Sequence, residues 1–255
     1  MSILKGKKLQ ILMGMPKGMV LTANFLKDQA FDAQLLAKYK KSNWVNSIGD
    51  GAYLRHGDKV DWKGALTAMQ EQLKLSVHCG ARTALTLQGY SHYAESAARD
   101  VYLFGAPGQK LPRWFEKHDW GVRVIYKMTN LFPENIAESF TEVPVGDFTI
   151  RISSSERAVM EMLYLVPAKQ GFDEAERIME SMMTLRPALV QKLLANCNSI
   201  KVKRLFLHMA ETTNLPWVEK LDLAGVNLGK GDRTVVKGGR LDPKYRITVP
   251  RGGAG

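Results

Sequence analysis

The stretch FDAQLLAKYKKSNWVNSIGDGAYLR, residues 31–55, decides the fold of the first part of the chain. Asp32 is suited to cap a helix that runs to about Ser42, because its carboxylate can accept from the free amides of the first turn. After Trp44 the segment VNSIGDGAYLR alternates around a glycine-rich turn, as a β-hairpin does. The stretch therefore predicts a short helix followed directly by a hairpin.

The predicted helix has two different faces, because successive residues turn by about 100° in an α-helix. The packing face holds Leu35, Leu36 and Tyr39. The outward face holds Gln34, Lys38 and Lys41, with Ala37 between them. Glutamine can pair with adenine, and lysine can contact guanine edges or phosphates. The outward face is thus typical of a DNA recognition helix, although lysines on a helix are more often simply solvated.

The residues before this stretch supply a partner helix. Residues 2–13 read as a first helix, which the segment GMPKG closes. Thr22 is suited to cap a short helix through Asp28, and two short helices a few residues apart form a helix-turn-helix. With the hairpin as a wing, residues 1–60 are predicted to be a winged helix-turn-helix domain. The expected DNA-contacting residues are Thr22, Gln34, Lys38, Lys40, Lys41, Ser42 and Arg55.

The charge of the chain is concentrated at its two ends. The net charge is +11 over 255 residues. Residues 1–60 carry 10 Lys and Arg against 4 Asp and Glu, and residues 199–255 carry 11 against 5. The middle, residues 61–198, carries 15 against 16. Basic ends around a neutral body suit a polyanionic partner that meets particular surfaces.

Beyond residue 60 the pattern changes to mixed α and β, which predicts a larger second domain over residues 61–255 and an α+β fold class overall. Asp61 is suited to cap a helix, and further helices are expected near residues 81–89, 112–119, 155–166, 172–183, 187–197 and 200–213. Strands are expected in DVYLFG, VRVIYKM, FTIRI, RTVVKG and KYRITVP.

No motif for catalysis or for a cofactor stands out. The segment AGVNLGKGD fails the phosphate-binding pattern twice, because Ala224 replaces the first glycine and Gly231 follows Lys230. The histidines lack metal-ligand spacing, and the two cysteines are far apart. We therefore expect a protein without catalytic activity, cofactor or metal.

No window is apolar enough for a membrane span, and the N-terminus lacks a signal peptide, so the cytoplasm is the expected location.

The C-terminal residues are basic, and three interpretations of them stay open. The residues concerned are Arg233, Lys237, Arg240, Lys244, Arg246 and Arg251. They can form a second surface for the nucleic-acid backbone, a patch for an acidic protein, or a strand edge protected by charge.

Several stretches, most of them in the second domain, resemble the AbiEi-type antitoxins of bacterial abortive-infection toxin-antitoxin systems. They are LTLQGYSHY (85–93), VYLFGAPGQKLPRWF (101–115), SSERAVMEMLYLVP (154–167), SIKVKRLFLHMAE (199–211) and VVKGGRLDPKYRITVPR (235–251). The resemblance covers nearly the whole chain.

The resemblance implies an antitoxin that represses its own operon by binding inverted repeats in promoter DNA. It also implies a second partner, a nucleotidyltransferase-like toxin, which the antitoxin neutralises directly or indirectly. By position, the recognition face is Gln34, Lys38 and Lys41, and GDGAYLR corresponds to the wing. Many family members have a basic residue where this chain has Asp50, which leaves backbone contact by the wing to Arg55. The alternative is an interaction protein whose basic ends bind an acidic protein or RNA.

Overall fold

Two units make up the chain, and each draws on several segments. The computed structural model describes residues 2–90, 100–133 and 135–251, with side chains from Lys7 onward, so residues 91–93 of the stretch 85–93 lie outside the description. We call Met1–His78, Gly108–Val124 and Glu142–Arg151 the N-terminal unit. Cys79–Pro107, Ile125–Thr141 and Ile152–Gly255 form the C-terminal unit.

The N-terminal unit begins with the predicted helices and hairpin. Its elements are α1 (Ser2–Gly14), β1 (Leu21–Thr22), α2 (Ala23–Asp28), α3 (Ala33–Lys41), β2 (Val45–Gly49), β3 (Ala52–Arg55) and α4 (Trp62–Thr67). The three strands form an antiparallel sheet in the order β1-β3-β2. These helices and the hairpin confirm the elements predicted from the sequence, while the two-residue strand β1 was not expected.

A small apolar core holds the first three helices and the sheet together. Leu12 of α1 and Leu26 of α2 are fully buried, and Leu36 of α3 is 6% exposed. Phe31, in the turn between α2 and α3, packs edge-on against Tyr39 with ring centroids 6.1 Å apart. Burying each leucine contributes about 1.5–3 kcal/mol. The core therefore fixes which side of α3 faces inward.

A π-helical turn (Ala68–Gln72) continues α4, which Asp61 caps as predicted. The amide of Leu73 donates to the carbonyl of Ala68 at 3.1 Å, the five-residue spacing that defines this geometry. The side-chain amide of Gln70 donates to Arg151 O at 2.8 Å and its oxygen accepts from Arg151 N at 2.9 Å. Gln72 binds a different segment, accepting from the amide of Thr22 in β1 and donating to the carbonyl of Val20 just before β1. The turn thus bridges two parts of the N-terminal unit.

Five further strands form a sheet in the order β6-β5-β4-β8-β7. They are β4 (His78–Cys79), β5 (Asp100–Gly105), β6 (Arg123–Met128), β7 (Phe140–Val145) and β8 (Phe148–Ser153). Strands β4 and β8 run parallel, with Cys79 opposite Ile152. Strands β5, β6 and β8 confirm the predicted DVYLFG, VRVIYKM and FTIRI.

The remaining α-helices agree with the predicted ones. They are α5 (Ala81–Leu87), α6 (Arg113–Lys117), α7 (Ser155–Leu165), α8 (Phe172–Glu180), α9 (Pro187–Asn196) and α10 (Ile200–Thr212). Helix α6 belongs to the N-terminal unit, where it contacts β2. In the C-terminal unit the buried carboxylate of Glu161 on α7 accepts from Arg157 Nε, Ser153 Oγ and the amide of Ala81 at 2.7–3.2 Å. This network satisfies a buried charge.

The prediction of a strand in RTVVKG is wrong. The chain instead forms a two-stranded antiparallel sheet of β9 (Arg240–Asp242) and β10 (Ile247–Val249), and only Arg233 makes an isolated bridge, to Ile247. The hydroxyl of Thr248 accepts from the amides of Val235 and Val236 at 2.9 and 3.0 Å. Backbone hydrogen bonds of Arg233 with Arg246 and Thr248, and of Val236 with Thr248, also join the segment to the β10 region, but they are too irregular to form a strand. KYRITVP does contain a strand, β10.

Candidate nucleic-acid interface

Side-chain caps position helices α2 and α3 as the sequence predicts. The hydroxyl of Thr22 accepts from the amide of Phe25 at 3.3 Å, and the carboxylate of Asp32 accepts from the amide of Leu35 at 2.7 Å. The turn between the helices closes when the amide of Phe31 donates to Leu26 O at 2.9 Å. Each cap satisfies an amide that the helix leaves free, so both helices start at defined residues.

Helix α3 presents its polar residues outward. Leu36 and Tyr39 are buried, and Leu35 packs against the same core. The side chains exposed to solvent are Gln34, Lys38, Lys40 and Lys41, together with Ser42 at the C-cap. No acidic side chain in the described ranges pairs with these lysines. Burial raises the pKa of Tyr39 above its ordinary value, so this phenol stays neutral inside the core.

The hairpin after α3 ends in a polar tip. Gly49, Asp50 and Gly51 all have positive φ, at 110°, 37° and 75°, which explains the two glycines of the turn. Asn46, Ser47 and Asp50 are exposed. Between Ser47 and Gly49 the register shifts, as in a β-bulge. The exposed groups of the hairpin are therefore amide, hydroxyl and carboxylate, without a cation.

Arg55 does not lie where the sequence predicted. Its side chain is only 4% exposed, and its Nη1 donates to the carbonyls of Leu12, Met13 and Met15 at 2.9–3.2 Å. Its Nε and Nη2 donate to the two carboxylate oxygens of Asp58 at 3.1 and 3.0 Å. The guanidinium thus caps the C-terminal end of α1, where carbonyls lack helical partners. Because all three of its nitrogens donate hydrogen bonds within the N-terminal unit, the guanidinium is not free to bind a phosphate.

Thr22 is also internal. It is 4% exposed, and besides capping α2 it donates its backbone amide to Gln72 Oε1 at 2.8 Å. Gln72 Nε2 donates in turn to Val20 O at 2.8 Å. Thr22 therefore positions α2 through its cap and presents no free group to a ligand. Sequence reasoning missed Gln72, because nothing in its neighbourhood signals a contact fifty residues away.

The basic C-terminal residues divide into paired and unpaired groups. Lys244 binds both carboxylate oxygens of Glu211 at 2.7 Å, and Arg246 pairs with Asp232 at 2.8 Å. The exposed cations without a carboxylate partner in the described chain are Arg233, Lys237, Arg240 and Arg251. The segment thus keeps a basic surface in the C-terminal unit.

From α1 to β3 the elements follow the order helix, strand, helix, helix, strand, strand, and the strands form a sheet in the order β1-β3-β2. This arrangement defines a winged helix-turn-helix protein. Among the helices of the described residues, none is long and apolar enough to span a membrane.

Comparison with known families places the chain within this class. Residues 5–96 match the family described as transcriptional regulator, AbiEi antitoxin N-terminal domain. Residues 98–250 match the family described as transcriptional regulator, AbiEi antitoxin, type IV TA system. The chain therefore belongs to the AbiEi family of antitoxin transcriptional regulators of type IV toxin-antitoxin systems.

A solved structure shares the fold. A crystal structure of the RV2827C protein from Mycobacterium tuberculosis matches 94% of this chain and 89% of that chain, with a TM-score of 0.60 and 12% sequence identity. At this identity the likeness shows the fold alone. No curated protein matches the sequence.

Proposed function

We propose that this chain represses its own operon by placing α3 in the major groove of promoter DNA. The observation that carries this proposal is the exposure of Gln34, Lys38 and Lys41 on α3, whose opposite face is fixed by the core. Gln34 is suited to an adenine edge, while the lysines are suited to guanine or phosphate. Membership of a family of antitoxin transcriptional regulators supports a role in DNA binding.

We further propose that the chain neutralises a nucleotidyltransferase-like toxin in the cytoplasm, and that this requires no catalysis by the chain itself. Two copies would bind one operator, since inverted repeats match a two-fold pair of winged helices. We keep the division into a DNA-binding domain of residues 1–60 and an antitoxin domain of residues 61–255 as part of this proposal. The basic C-terminal residues belong to the second of these domains.

The experiment is a mobility-shift assay on the DNA upstream of the chain's own reading frame, repeated over a salt series. Lys38→Ala and Lys41→Ala are each expected to weaken binding by about 1 kcal/mol or more. Gln34→Ala is expected to relax sequence preference more than it lowers total affinity, because it removes a base contact. Lys17→Ala and Lys59→Ala, at exposed lysines outside α3, serve as controls. Unchanged binding by the Lys38/Lys41 double variant would place the recognition surface elsewhere.

Antitoxicity is tested separately with the same full-length double variant. A nucleotidyltransferase-like reading frame beside that of the chain is expected to stop growth when it is expressed alone. The Lys38/Lys41 variant is expected to restore growth while it no longer represses a promoter fusion. Loss of both activities at normal protein levels would contradict the proposed separation of the two roles.

A further inference from the structure

Two consecutive residues of α10, Lys203 and Arg204, are buried cations of the C-terminal unit. Lys203 is 4% exposed and Arg204 is 3% exposed. Lys203 Nζ donates to the carbonyl of Asn227 at 3.1 Å, and the guanidinium of Arg204 likewise donates to backbone carbonyls. Neither side chain forms an ion pair with a carboxylate of the described chain. A buried charge is usually paired with an opposite charge, so this place lacks a negative group.

Arg204 fixes the conformation of residues 228–232, which we call the glycine loop. Its Nη2 donates to Gly229 O at 3.0 Å and its Nη1 donates to Gly231 O at 2.6 Å. Both glycines have positive φ, at 66° and 72°, whereas Lys230 between them does not. Glycine adopts this left-handed conformation without strain, so the loop can turn both carbonyls towards the same guanidinium.

The glycine loop directs free backbone amides away from Arg204. In a trans peptide the N–H group points opposite to the carbonyl of the preceding residue. The amides of Lys230 and Asp232 therefore point away from Arg204, because the carbonyls before them face it. Among the described residues neither amide has an acceptor, and both residues are exposed. Neighbouring backbone amides in a turn of this kind form a concavity that binds anions.

Positive side chains surround the glycine loop. Lys230 and Arg233 are exposed, and neither pairs with a carboxylate in the part of the chain that the structure describes. Arg246 pairs with the carboxylate of Asp232 at 2.8 Å. Burial lowers the pKa of Arg204, and repulsion by Arg233 and Arg246 lowers this pKa further than attraction by Asp232 raises it. Positive charge therefore outweighs negative charge around the loop.

We propose that the glycine loop binds the phosphate group of a small phosphate monoester. The amides of Lys230 and Asp232 donate to the phosphate oxygens, and the side chains of Lys230 and Arg233 pair with its charge. The anion also supplies the negative charge that Lys203 and Arg204 lack. A monoester carries close to two negative charges at pH 7, so it offsets more of the surplus positive charge than a singly charged diester does.

This site goes beyond the proposed function, because it lies in the C-terminal unit and does not involve α3. The loop falls within the segment AGVNLGKGD, which lacks the sequence pattern of a phosphate-binding loop. The direction of its amides and the surrounding charge therefore carry the proposal, and no sequence motif does.

The test measures binding of methyl phosphate to the full-length protein by isothermal titration calorimetry at pH 7, with dimethyl phosphate as the singly charged diester. Saturable binding of methyl phosphate is expected, about ten-fold tighter than that of dimethyl phosphate. Lys230→Ala and Arg233→Ala are each expected to weaken it about ten-fold, because a charged contact is lost. Lys220→Ala, at an exposed lysine of the same unit outside the loop, is the control and is expected to bind as the wild type does. Thermal unfolding without ligand checks that each variant is folded.

A further variant is expected to change the affinity in the opposite direction. Asp232→Asn removes the carboxylate beside the phosphate and frees Arg246, so methyl phosphate is expected to bind about three-fold more tightly. A damaged fold would weaken binding, so a gain of affinity identifies an electrostatic effect. Weaker or unchanged binding by folded Asp232→Asn would overturn the placement of the phosphate at this loop.

Two other outcomes would overturn the proposal. One is a wild type that does not bind methyl phosphate, or that binds methyl and dimethyl phosphate equally well. The other is duplex DNA binding that weakens in Lys230→Ala and Arg233→Ala while the wild type does not bind methyl phosphate, which would assign these cations to the nucleic-acid backbone. The proposed function fails separately, because wild-type operator binding by the Lys38/Lys41 variant contradicts it whatever methyl phosphate does.

Discussion

The side chain of Gln72 completes the backbone hydrogen bonding of Thr22. Its Oε1 accepts from the amide of Thr22 at 2.8 Å, while its Nε2 donates to the carbonyl of Val20 at the same distance. Thr22 in turn caps α2. The start of the helix-turn-helix is therefore held by a residue outside it, in the π-helical turn.

Replacing Gln72 with methionine, which has a similar length, is expected to destabilise the protein by about 1–3 kcal/mol. The amide of Thr22 and the carbonyl of Val20 would be left without partners in a partly buried place. Urea unfolding measures the effect. Gln34→Met, at an exposed glutamine, is the matched control and is expected to change stability by less than about 0.5 kcal/mol. Equal stability of the two variants would show that the Gln72 contacts contribute little.

Arg55→Met is expected to destabilise the protein by about 3–5 kcal/mol, because the carboxylate of Asp58 loses its buried partner. Arg55→Lys keeps the positive charge but lacks the guanidinium group, whose nitrogens reach three carbonyls and the carboxylate. We therefore expect its loss of stability to lie between those of the wild type and Arg55→Met. Chemical denaturation measures both losses. At temperatures where Arg55→Met is folded, its DNA binding should show the wild-type salt slope, although the positive charge has been removed. A salt slope reduced by about one would instead show that Arg55 contacts a DNA phosphate.

Asp50→Asn is expected to tighten binding to mixed-sequence DNA about two-fold at low salt, and less at high salt. Asp50 is exposed at the wing tip, next to the start of α2, where the amide of Ala23 donates to Gly51 O at 2.6 Å, and its carboxylate is expected to repel DNA phosphates. Asparagine tolerates the positive φ of this position, so the turn is preserved. Anisotropy titrations at two salt concentrations measure the change. Unaltered affinity at low salt would place the wing tip away from the duplex.

Stability at low pH is expected to depend on Glu156. Burial by itself raises the pKa of this carboxyl, but the hydrogen bonds from Arg186 outweigh burial and lower the pKa from 4.5 to about 2. The lowered pKa stabilises the folded state by at most about 3 kcal/mol above pH 4.5. This contribution is lost as the pH falls from 4.5 towards 2, because the carboxylate takes up a proton.

The measurement is urea unfolding of the wild type and Glu156→Gln between pH 7 and pH 2. The wild type is expected to be more stable at pH 7, and the difference is expected to shrink below pH 4.5. A difference that stays constant over this range would contradict the assignment of the pKa to the ion pair with Arg186.

The sequence predicted α2 and α3 well because local chemistry determines them. Thr22 and Asp32 make the predicted caps, and the periodicity of Leu35, Leu36 and Tyr39 identifies the buried face of α3. The resemblance to the AbiEi antitoxins is confirmed by matches that together span residues 5–250, apart from residue 97. These predictions needed only neighbouring residues or the overall pattern of the chain.

The position of Arg55 depended on the register of the hairpin. A regular hairpin closed by Asp50 and Gly51 would pair Arg55 with the exposed Asn46. The shift between Ser47 and Gly49 instead pairs it with the buried Val45, on the inner face. A slip of one residue exchanges the two faces of a strand. The sequence does not mark this bulge, so it did not show that Arg55 lies on the inner face of the hairpin.

Strand β7 was missed for a different reason. Its sequence FTEVPV contains Pro144, which argues against a central strand because proline lacks an amide donor. The strand lies at the edge of the five-stranded sheet, where one side of the backbone needs no partner. The place of a strand in the sheet depends on distant segments, and at the sheet edge it permits a proline that the local sequence alone counts against a strand.

The π-helical turn makes the chain between Trp62 and Gln72 intolerant of deletions. Gln70 and Gln72 bind opposite neighbours, Arg151 and Thr22, from the same turn. Loss of one residue before Gln70 would rotate everything after it by about 100°, and neither amide would then reach its neighbour. Homologous chains that keep this pair of glutamines should therefore keep the same number of residues between the cap at Asp61 and Gln72, while surface loops vary in length.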